Sequence, residues 1–429
     1  MQRRHGGVLT AVATLMALVT VAAAPSSASA DARRTDSGSP YFYIGHAGGT
    51  QIRAFGTSIR SDLTAASGVE GYTFPARDDN RVAAVNAGSG LVKLGNVTTW
   101  AQAVPVPHGT RTITGARTAD VSLLGGLIKA DAVETVTTAT KTPDGMTSSS
   151  STKFIGLTIN GQEYPVNLPE DFTVTIPGIA AIVANSSTAY EVAGGTYITG
   201  FGLYVGLLKP FNNVPAAATV LLNPTQSIVV PAPPPQAPQI GGIGYGTQIK
   251  AHVGPALDVD ASPSAFVATP PGGTRGETIQ NATAEVSVPQ VLHVATVKSW
   301  TTGTTVPGHG KVKVNNELAG LDVLDGLITA DAINTSAVVK KKKSKKVTTK
   351  LDTELLNLTV AGHAVPVHVG RDTSIDIAGV GTLVLNEQTR KDWGGYVRAL
   401  HLTLTTAQNG LPVGAQIEVG VALGWVSTG

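Results

Sequence analysis

The sequence contains no cysteine, and only 14% of its residues are charged. The absence of cysteine excludes a disulfide framework and cysteine-ligated zinc or iron–sulfur centres. The low charge content, together with 42% hydrophobic residues, excludes a disordered chain, because enough apolar surface is present to form a core. The sequence therefore predicts a folded, soluble protein whose cores are large enough to do without covalent staples.

Long amphipathic helical stretches are also lacking, whereas Thr, Val, Ala and Gly are abundant. Ser122 to Thr140 is a long β-prone run, and turn residues separate it from a second run, Phe154 to Ile159. Near the C-terminus, apolar residues alternate with small or polar ones from Ile417 to Trp425, which is the period of a half-buried strand. This pattern predicts an all-β fold.

Two stretches recur in the same order in the second half of the chain. Leu124 to Val133 contains Gly-Leu-Ile-Lys-Ala-Asp-Ala, and Leu324 to Ile333 contains Gly-Leu-Ile-Thr-Ala-Asp-Ala. A repeat of this length is a domain rather than a solenoid unit. We therefore predict two tandem homologous β-sandwich-like domains of long antiparallel hairpins, with a β-helix as the alternative. The positions that recur, which we interpret as structural, are Asp131, Asp331, Trp100, Trp300, His108 and His309.

The composition changes along the chain predict five segments. Residues 1–30 have the charged start, apolar run and small-residue cleavage site of a signal peptide. Residues 31–40 are predicted to be disordered, 41–209 to form the first β domain, 210–240 a Pro-rich linker, and 241–429 the second domain. We expect the two domains to behave as beads on a string.

Catalytic motifs are not recognisable in the sequence. Asp131 and Asp331 could act as acids, but hydrolysis by paired carboxylates needs a second acid in both copies, and Glu134 is matched by Asn334. His108 and His309 follow a Val-Pro pair, which is typical of turn histidines. The sequence predicts no cofactor and no metal site.

Six lysines occupy seven consecutive positions between two predicted strands of the second domain. Too few carboxylates lie nearby to pair with them, so they should project into water and attract an anionic cell-wall polymer, extracellular DNA or an acidic glycan. The alternative is a solvated hairpin tip that prevents edge-to-edge aggregation. The first domain has Ser148 to Ser151 at what we interpret as the same place. The candidate binding residues are Lys340, Lys341, Lys342, Lys343, Lys345 and Lys346.

The repeated Gly-Leu-Ile-x-Ala-Asp-Ala motif, together with Ile377 to Gln388 and Val397 to Leu404, resembles the choice-of-anchor P family of actinobacterial secreted proteins. The resemblance covers most of the second domain and, more loosely, the first. It implies export and a surface-type domain, and it implies no particular activity.

Together these patterns favour a non-catalytic protein, secreted or loosely associated with the cell envelope, with a binding, adhesion or structural role. The alternative is a secreted hydrolase that acts on a polysaccharide or a peptide. The formal net charge of +2 is too small to attract nucleic acid or an anionic membrane over the whole surface, so any electrostatic partner must bind locally.

Overall fold

The computed structural model describes residues 39–54, 59–60, 63–87, 90–212, 218–252, 258–260, 263–288, 290–343, 345–409 and 411–427. The predicted signal peptide, 1–30, lies outside the described residues, as does the predicted disordered segment except for residues 39 and 40. Of these two, Ser39 is buried and hydrogen-bonds to the Thr110 hydroxyl.

The described residues of the first half form eighteen strands and one short 3-10 helix, Leu124–Gly126. The strands are β1 (Tyr41–Ala47), β2 (Thr50–Ala54), β3 (Ile59–Arg60), β4 (Ser67–Gly71), β5 (Ala76–Val82), β6 (Val85–Ala87), β7 (Val92–Leu94), β8 (Val97–Val106), β9 (Gly109–Leu123), β10 (Ile128–Thr142), β11 (Gly145–Ile155), β12 (Thr158–Ile159), β13 (Gln162–Glu163), β14 (Phe172–Ile176), β15 (Ala180–Val192), β16 (Gly195–Leu207), β17 (Thr219–Leu222) and β18 (Thr225–Pro231).

In the second half, the residues that the structure describes form fifteen strands. They are β19 (Ile240–His252), β20 (Asp258–Asp260), β21 (Val267–Thr269), β22 (Ile279–Thr283), β23 (Val286–Val288), β24 (Leu292–Val306), β25 (His309–Val323), β26 (Ile328–Lys341), β27 (Thr348–Leu356), β28 (Thr359–Val360), β29 (His363–Ala364), β30 (Thr373–Ile377), β31 (Gly381–Lys391), β32 (Gly394–Leu404) and β33 (Gln416–Val426).

Each half packs two antiparallel sheets against each other. Sheet I contains β1–β4 and β14–β18, and sheet II contains β5–β13; sheet III contains β19–β21 and β30–β33, and sheet IV contains β22–β29. The long hairpin strands β8 to β11 of sheet II correspond in order and register to β24 to β27 of sheet IV. The prediction of an all-β, sandwich-like fold is confirmed, and the β-helix alternative is not found among the described residues.

The strands form because apolar side chains alternate along them and meet between the sheets. In β25, Val312 and Val314 point inward and are fully buried, whereas Lys311 and Lys313 point outward. Repeating this pattern on both facing sheets builds one large apolar cluster and smaller ones inside each half, and Val312 and Val314 belong to a smaller cluster of the second half. Burying each such valine stabilises the fold by about 1.5–3 kcal/mol relative to leaving it exposed.

The predicted linker, 210–240, is longer than the segment that joins the two halves in the structure. Residues 219–231 form β17 and β18, and all seven residues of β18 are buried between β16 and β1. A strand buried on both faces shows no alternation of apolar and polar residues, so this pattern does not reveal β18 in the sequence. Only residues 232–239 join the halves without strand structure.

The two halves also touch directly, which differs from the expected beads on a string. The Glu277 carboxylate accepts a hydrogen bond of 2.9 Å from the Ala193 N–H in the turn between β15 and β16. A Cβ atom added to Gly194, next in that turn, would lie 3.2 Å from Arg275. The joining segment packs on the second half, where the Gln236 carbonyl accepts the Gly308 N–H at 3.3 Å.

The interiors of the two halves differ in chemistry. Between sheets I and II, the buried Thr114 hydroxyl lies 2.8 Å from that of Thr137 and 3.1 Å from that of Ser227. The equivalent positions of the second half are Val314, Ala337 and Gly424, which offer no hydroxyl. The first half thus satisfies buried hydroxyls with one another, since an unpaired one would cost about 1–3 kcal/mol.

Candidate functional site

The lysine run forms the tip of the hairpin between β26 and β27. The last cross-strand pair before the tip joins Lys340 to Thr348, and a turn closed by the Lys345 N–H and the Lys342 carbonyl, 3.0 Å apart, lies within the loop. The turn between β24 and β25 packs against it, because a Cβ atom added to Gly308 would lie 3.2 Å from that of Lys343. The loop is therefore supported by a neighbouring hairpin.

Two further lysines extend this charge along the outer face of sheet IV. Lys311 lies directly opposite Lys340 on the adjacent strand, and Lys313 lies two residues farther along β25. Like charges directly opposite each other in an antiparallel pair destabilise it. The strand pairing thus accepts an electrostatic cost that concentrates positive charge at this end of the sheet.

Lys341 behaves differently from the other tip lysines. Its side chain is half-buried and its ammonium group donates a hydrogen bond of 3.0 Å to the Ser427 carbonyl, so it anchors the tip to the end of β33. The other lysines are exposed, and among the described residues no carboxylate lies within ion-pair distance of them. We call this set the basic surface: Lys311, Lys313, Lys340, Lys342, Lys343, Lys345 and Lys346.

The first half has no comparable charge at the same place. Its hairpin between β10 and β11 closes with a tight turn, Pro143-Asp144, between the paired residues Thr142 and Gly145. The serines predicted to lie at this tip, Ser148 to Ser151, instead lie within β11, because the shorter turn starts the strand earlier. The first-half tip therefore carries an acid where the second half carries the lysine loop.

Asp131 and Asp331 lie at a break in the strand register. Asp131 faces Asp120, and Asp331 faces Gly320, and both of these partners have positive φ angles, 50° and 65°. Both aspartates are exposed, and Asp331 accepts a hydrogen bond of 2.6 Å from the Asn357 amide. The side chain of each aspartate points towards the residue that follows the adjacent strand, Gly156 or Asn357, and among the described residues no second carboxylate hydrogen-bonds to either aspartate.

Trp100 and Trp300 occupy equivalent positions but have different neighbours. Trp100 covers Gly115, since a Cβ atom added to that glycine would lie 2.1 Å from the indole ring. Trp300 faces Asn315 at the same position, and its ring lies 5.5 Å from the Lys298 ammonium. The two tryptophans are therefore not interchangeable.

His108 and His309 do not occupy equivalent positions. His108 lies in the turn between β8 and β9 with a φ of 56°, and its counterpart in the second half is Gly308, with a φ of 74°. His309 is one residue farther on and begins β25. The shared Val-Pro sequence suggested that the two histidines are equivalent, but in the strand pairing His309 is one residue beyond the position equivalent to His108.

A cluster of ionised side chains, which sequence reasoning missed, lies on the outer face of sheet III. The fully buried Glu418 accepts hydrogen bonds from Tyr245 at 2.5 Å and Lys250 at 2.9 Å, and its carboxylate lies 3.3 Å from Arg398. Arg398 also binds Glu387 at 3.0 Å. The members come from four strands and are spread over more than half of the second domain, so no local motif reveals them.

His401 completes this ionic cluster, and with it the cluster has two acids and a histidine. Its Nδ1 atom lies 2.8 Å from Glu387, whose pKa the hydrogen bond lowers, burial raises, and the charge of Arg398 lowers, to about 2 overall. Burial raises the pKa of Glu418, but the charges of Arg398 and Lys250 outweigh it and lower that pKa. The surrounding cations thus favour the ionised form of both carboxylates.

The lowered pKa of Glu387 predicts a loss of stability in acid. Because the pKa is about 2 in the folded chain and 4.5 without these contacts, the contribution is present above pH 4.5 and disappears as the pH falls towards 2. We expect the unfolding midpoint of the natural chain to fall more steeply over this range than that of Glu387→Gln. Glu163→Gln, at an exposed position in the first half, is the matched control, and equal slopes for all three proteins would contradict the assignment.

Other concave and metal-binding features are limited. An open cleft of about 480 Å³ at one end of the second sandwich has a mostly apolar lining that includes His363 and Asp376. Within the described ranges, no group of three or more His, Cys, Asp or Glu side chains is placed to hold a metal ion. In the same part of the chain, no helix has the length and apolar character needed to cross a bilayer.

Comparison with models of protein families, and with curated proteins, finds no match to this sequence.

Proposed function

We propose that this protein is a non-catalytic β-sandwich protein of the cell exterior or envelope that binds an anionic polymer through the basic surface. The observation that carries the proposal is the group of seven exposed lysines without a described carboxylate partner. Their charges lie on one end of one sheet rather than being spread over the chain, whose net charge is only +2. Such a local field attracts a polyanion even though the whole molecule is nearly neutral.

Two structural features favour polyanion binding over the alternative, a solvated hairpin tip that only prevents edge-to-edge aggregation. A few charges are enough to protect a sheet edge from aggregation, and β27 already carries Lys350, Asp352 and Glu354. The opposed pair Lys311 and Lys340 lies on two central strands of the sheet. Charges at this position do not protect a sheet edge, so edge protection does not explain the pair. A polyanion would convert this repulsion into attraction.

The location at the cell exterior rests on residues 1–30 and on the resemblance to choice-of-anchor P proteins. A charged start followed by an apolar run and a small-residue cleavage site directs secretion. Outside the cell, acidic wall polymers and acidic glycans are ligands that match the basic surface.

The decisive variant replaces the five exposed tip lysines with serine and leaves the anchoring, half-buried Lys341 in place. The substituted residues are Lys340, Lys342, Lys343, Lys345 and Lys346. We expect the affinity for polyphosphate and for hyaluronan to fall tenfold or more at about 50 mM salt, because ionic contacts are lost. The slope of log affinity against log salt should also shrink, by up to about 0.7 for each lost contact on the densely charged polyphosphate and by less on hyaluronan, which carries fewer charges per unit length. Stability should change by less than about 0.5 kcal/mol per site, because exposed tip charges contribute little to folding.

The control removes the same charge elsewhere. It replaces five lysines outside the basic surface with serine, namely Lys93, Lys129, Lys153, Lys209 and Lys391. If both variants lose affinity equally, binding follows net charge and the assigned surface is wrong. If neither the natural chain nor the variants bind either polymer, the proposed function fails.

A further inference from the structure

The outer face of sheet IV carries an aromatic side chain next to the basic surface. Trp300 lies on β24, directly between Gln280 of β22 and Asn315 of β25. Lys313 is two residues farther along β25, a distance of about 7 Å along the strand, and the opposed pair Lys311 and Lys340 is about 13 Å away. One extended polymer laid along the strands would therefore touch both regions.

The tryptophans of the two halves face different residues on the adjacent strand. In the first half, Trp100 fills the space above Gly115, where a Cβ atom would lie 2.1 Å from the ring. In the second half, Asn315 occupies that position and is buried, and Trp300 is half-buried. The Lys298 ammonium lies over the Trp300 ring, 5.5 Å from its centroid, and the exposed Gln280 is paired with Trp300 on the neighbouring strand.

We propose that Trp300 and Gln280 form a sugar subsite that continues the basic surface, so that the bound polymer is a glycan carrying both uncharged sugar rings and anionic groups. The electron-rich face of an indole attracts the partially positive C–H groups on one face of a sugar ring. An amide next to that ring can donate to and accept from sugar hydroxyls. This inference rests on the proposed function and narrows its ligand.

The charges around Trp300 favour a glycan over a nucleic acid. Glu317 lies directly opposite Lys298 on the adjacent strand. Followed across the sheet from strand to strand, the cross-strand pairs that start at Trp300 lead to Asp352, and those that start at Lys298 lead to Glu354. A nucleic acid carries a phosphate at every nucleotide and would bring negative charge against these acids. A glycan with alternating charged and uncharged units places an uncharged ring over Trp300 and its anions over the lysines.

The test compares Trp300→Ala with Trp100→Ala in the full chain, using three probes: hyaluronan, polyphosphate and single-stranded oligothymidylate. We expect Trp300→Ala to weaken hyaluronan binding about three- to tenfold and to leave polyphosphate binding unchanged, since only the first probe has rings to pack on the indole. Trp300→Phe should restore part of the loss because it keeps an aromatic face. Trp100→Ala should change neither affinity, and thermal unfolding of each variant checks that the fold is intact.

The outcomes separate this inference from the proposed function. If the tip lysines matter for both polyanions but Trp300 matters for neither, the sugar subsite is wrong and the polyanion surface stands. If Trp300→Ala weakens oligothymidylate and not hyaluronan, the aromatic side chain stacks on bases and the glycan assignment is overturned. If no polyanion binds the natural chain, both proposals fail.

Discussion

A fragment that ends at residue 209 is expected not to fold, whereas a fragment that continues to residue 232 should fold. The difference is β17 and β18, which lie beyond the composition-based boundary but belong to sheet I. β18 joins β1 to β16, so its loss splits the sheet and exposes the core residues around Val229. Exposing several fully buried side chains at about 1.5–3 kcal/mol each exceeds the whole stability of an ordinary domain.

The measurement uses two fragments that begin at residue 39 and are expressed separately. Circular dichroism and one-dimensional proton NMR should show dispersed, β-type signals for the longer fragment and an unfolded or aggregated chain for the shorter one. Two equally well folded fragments would mean that β17 and β18 are dispensable, contrary to their position inside the sheet.

Replacing Glu418 alone with leucine is expected to destabilise the second half by about 2–4 kcal/mol. The substitution removes a fully buried carboxylate and leaves Arg398 and Lys250 without their shared partner. Removing one member of a buried ionic group usually costs about 3–5 kcal/mol, and the two cations here are 20% and 30% exposed, which reduces the cost.

The first half provides the matched control for this substitution. At the equivalent positions it has Leu221 for Glu418, Phe201 for Arg398 and Tyr204 for His401, and two of these side chains pack as an aromatic pair with ring centroids 6.2 Å apart. Ser186 is the equivalent of Glu387. Transferring these four positions together, as Glu387→Ser, Arg398→Phe, His401→Tyr and Glu418→Leu, should recover part of the lost stability, because Arg398 is then replaced and only Lys250, which is 30% exposed, lacks its partner. Replacing a complete buried ionic group with apolar residues is often neutral. Chemical denaturation of both variants measures the difference, and equal stability of the two would contradict the account.

Local patterns were sufficient for the fold class and for the lysine loop. Alternation such as that from Ile417 to Trp425 predicts a strand directly, and a run of lysines between two such strands predicts an exposed tip. Both inferences need only neighbours in sequence. The lysines that complete the basic surface, Lys311 and Lys313, were missed because they lie on the adjacent strand.

The buried threonines, the ionic cluster and the register of the two histidines depend on which strands pair, and strand pairing cannot be read from local sequence patterns. Thr112 and Thr114 alternate with Ile113, a pattern that favours isoleucine inside, yet the two threonines are buried and bond to the opposite sheet. The ionic cluster requires four strands that are far apart in sequence. The mismatch between His108 and His309 depends on a one-residue shift in register, which is below the precision of motif matching.

The central claim, that a polyanion occupies the basic surface, is tested most directly by lysine protection. The full chain is acetylated with and without hyaluronan at low salt, and modification of each lysine is measured by mass spectrometry. The account predicts that protection is concentrated on Lys311, Lys313, Lys340, Lys342, Lys343, Lys345 and Lys346. Lys93, Lys129 and Lys153 of the first half should react equally in both conditions. Uniform protection of all lysines, or protection confined to the first half, would contradict the claim.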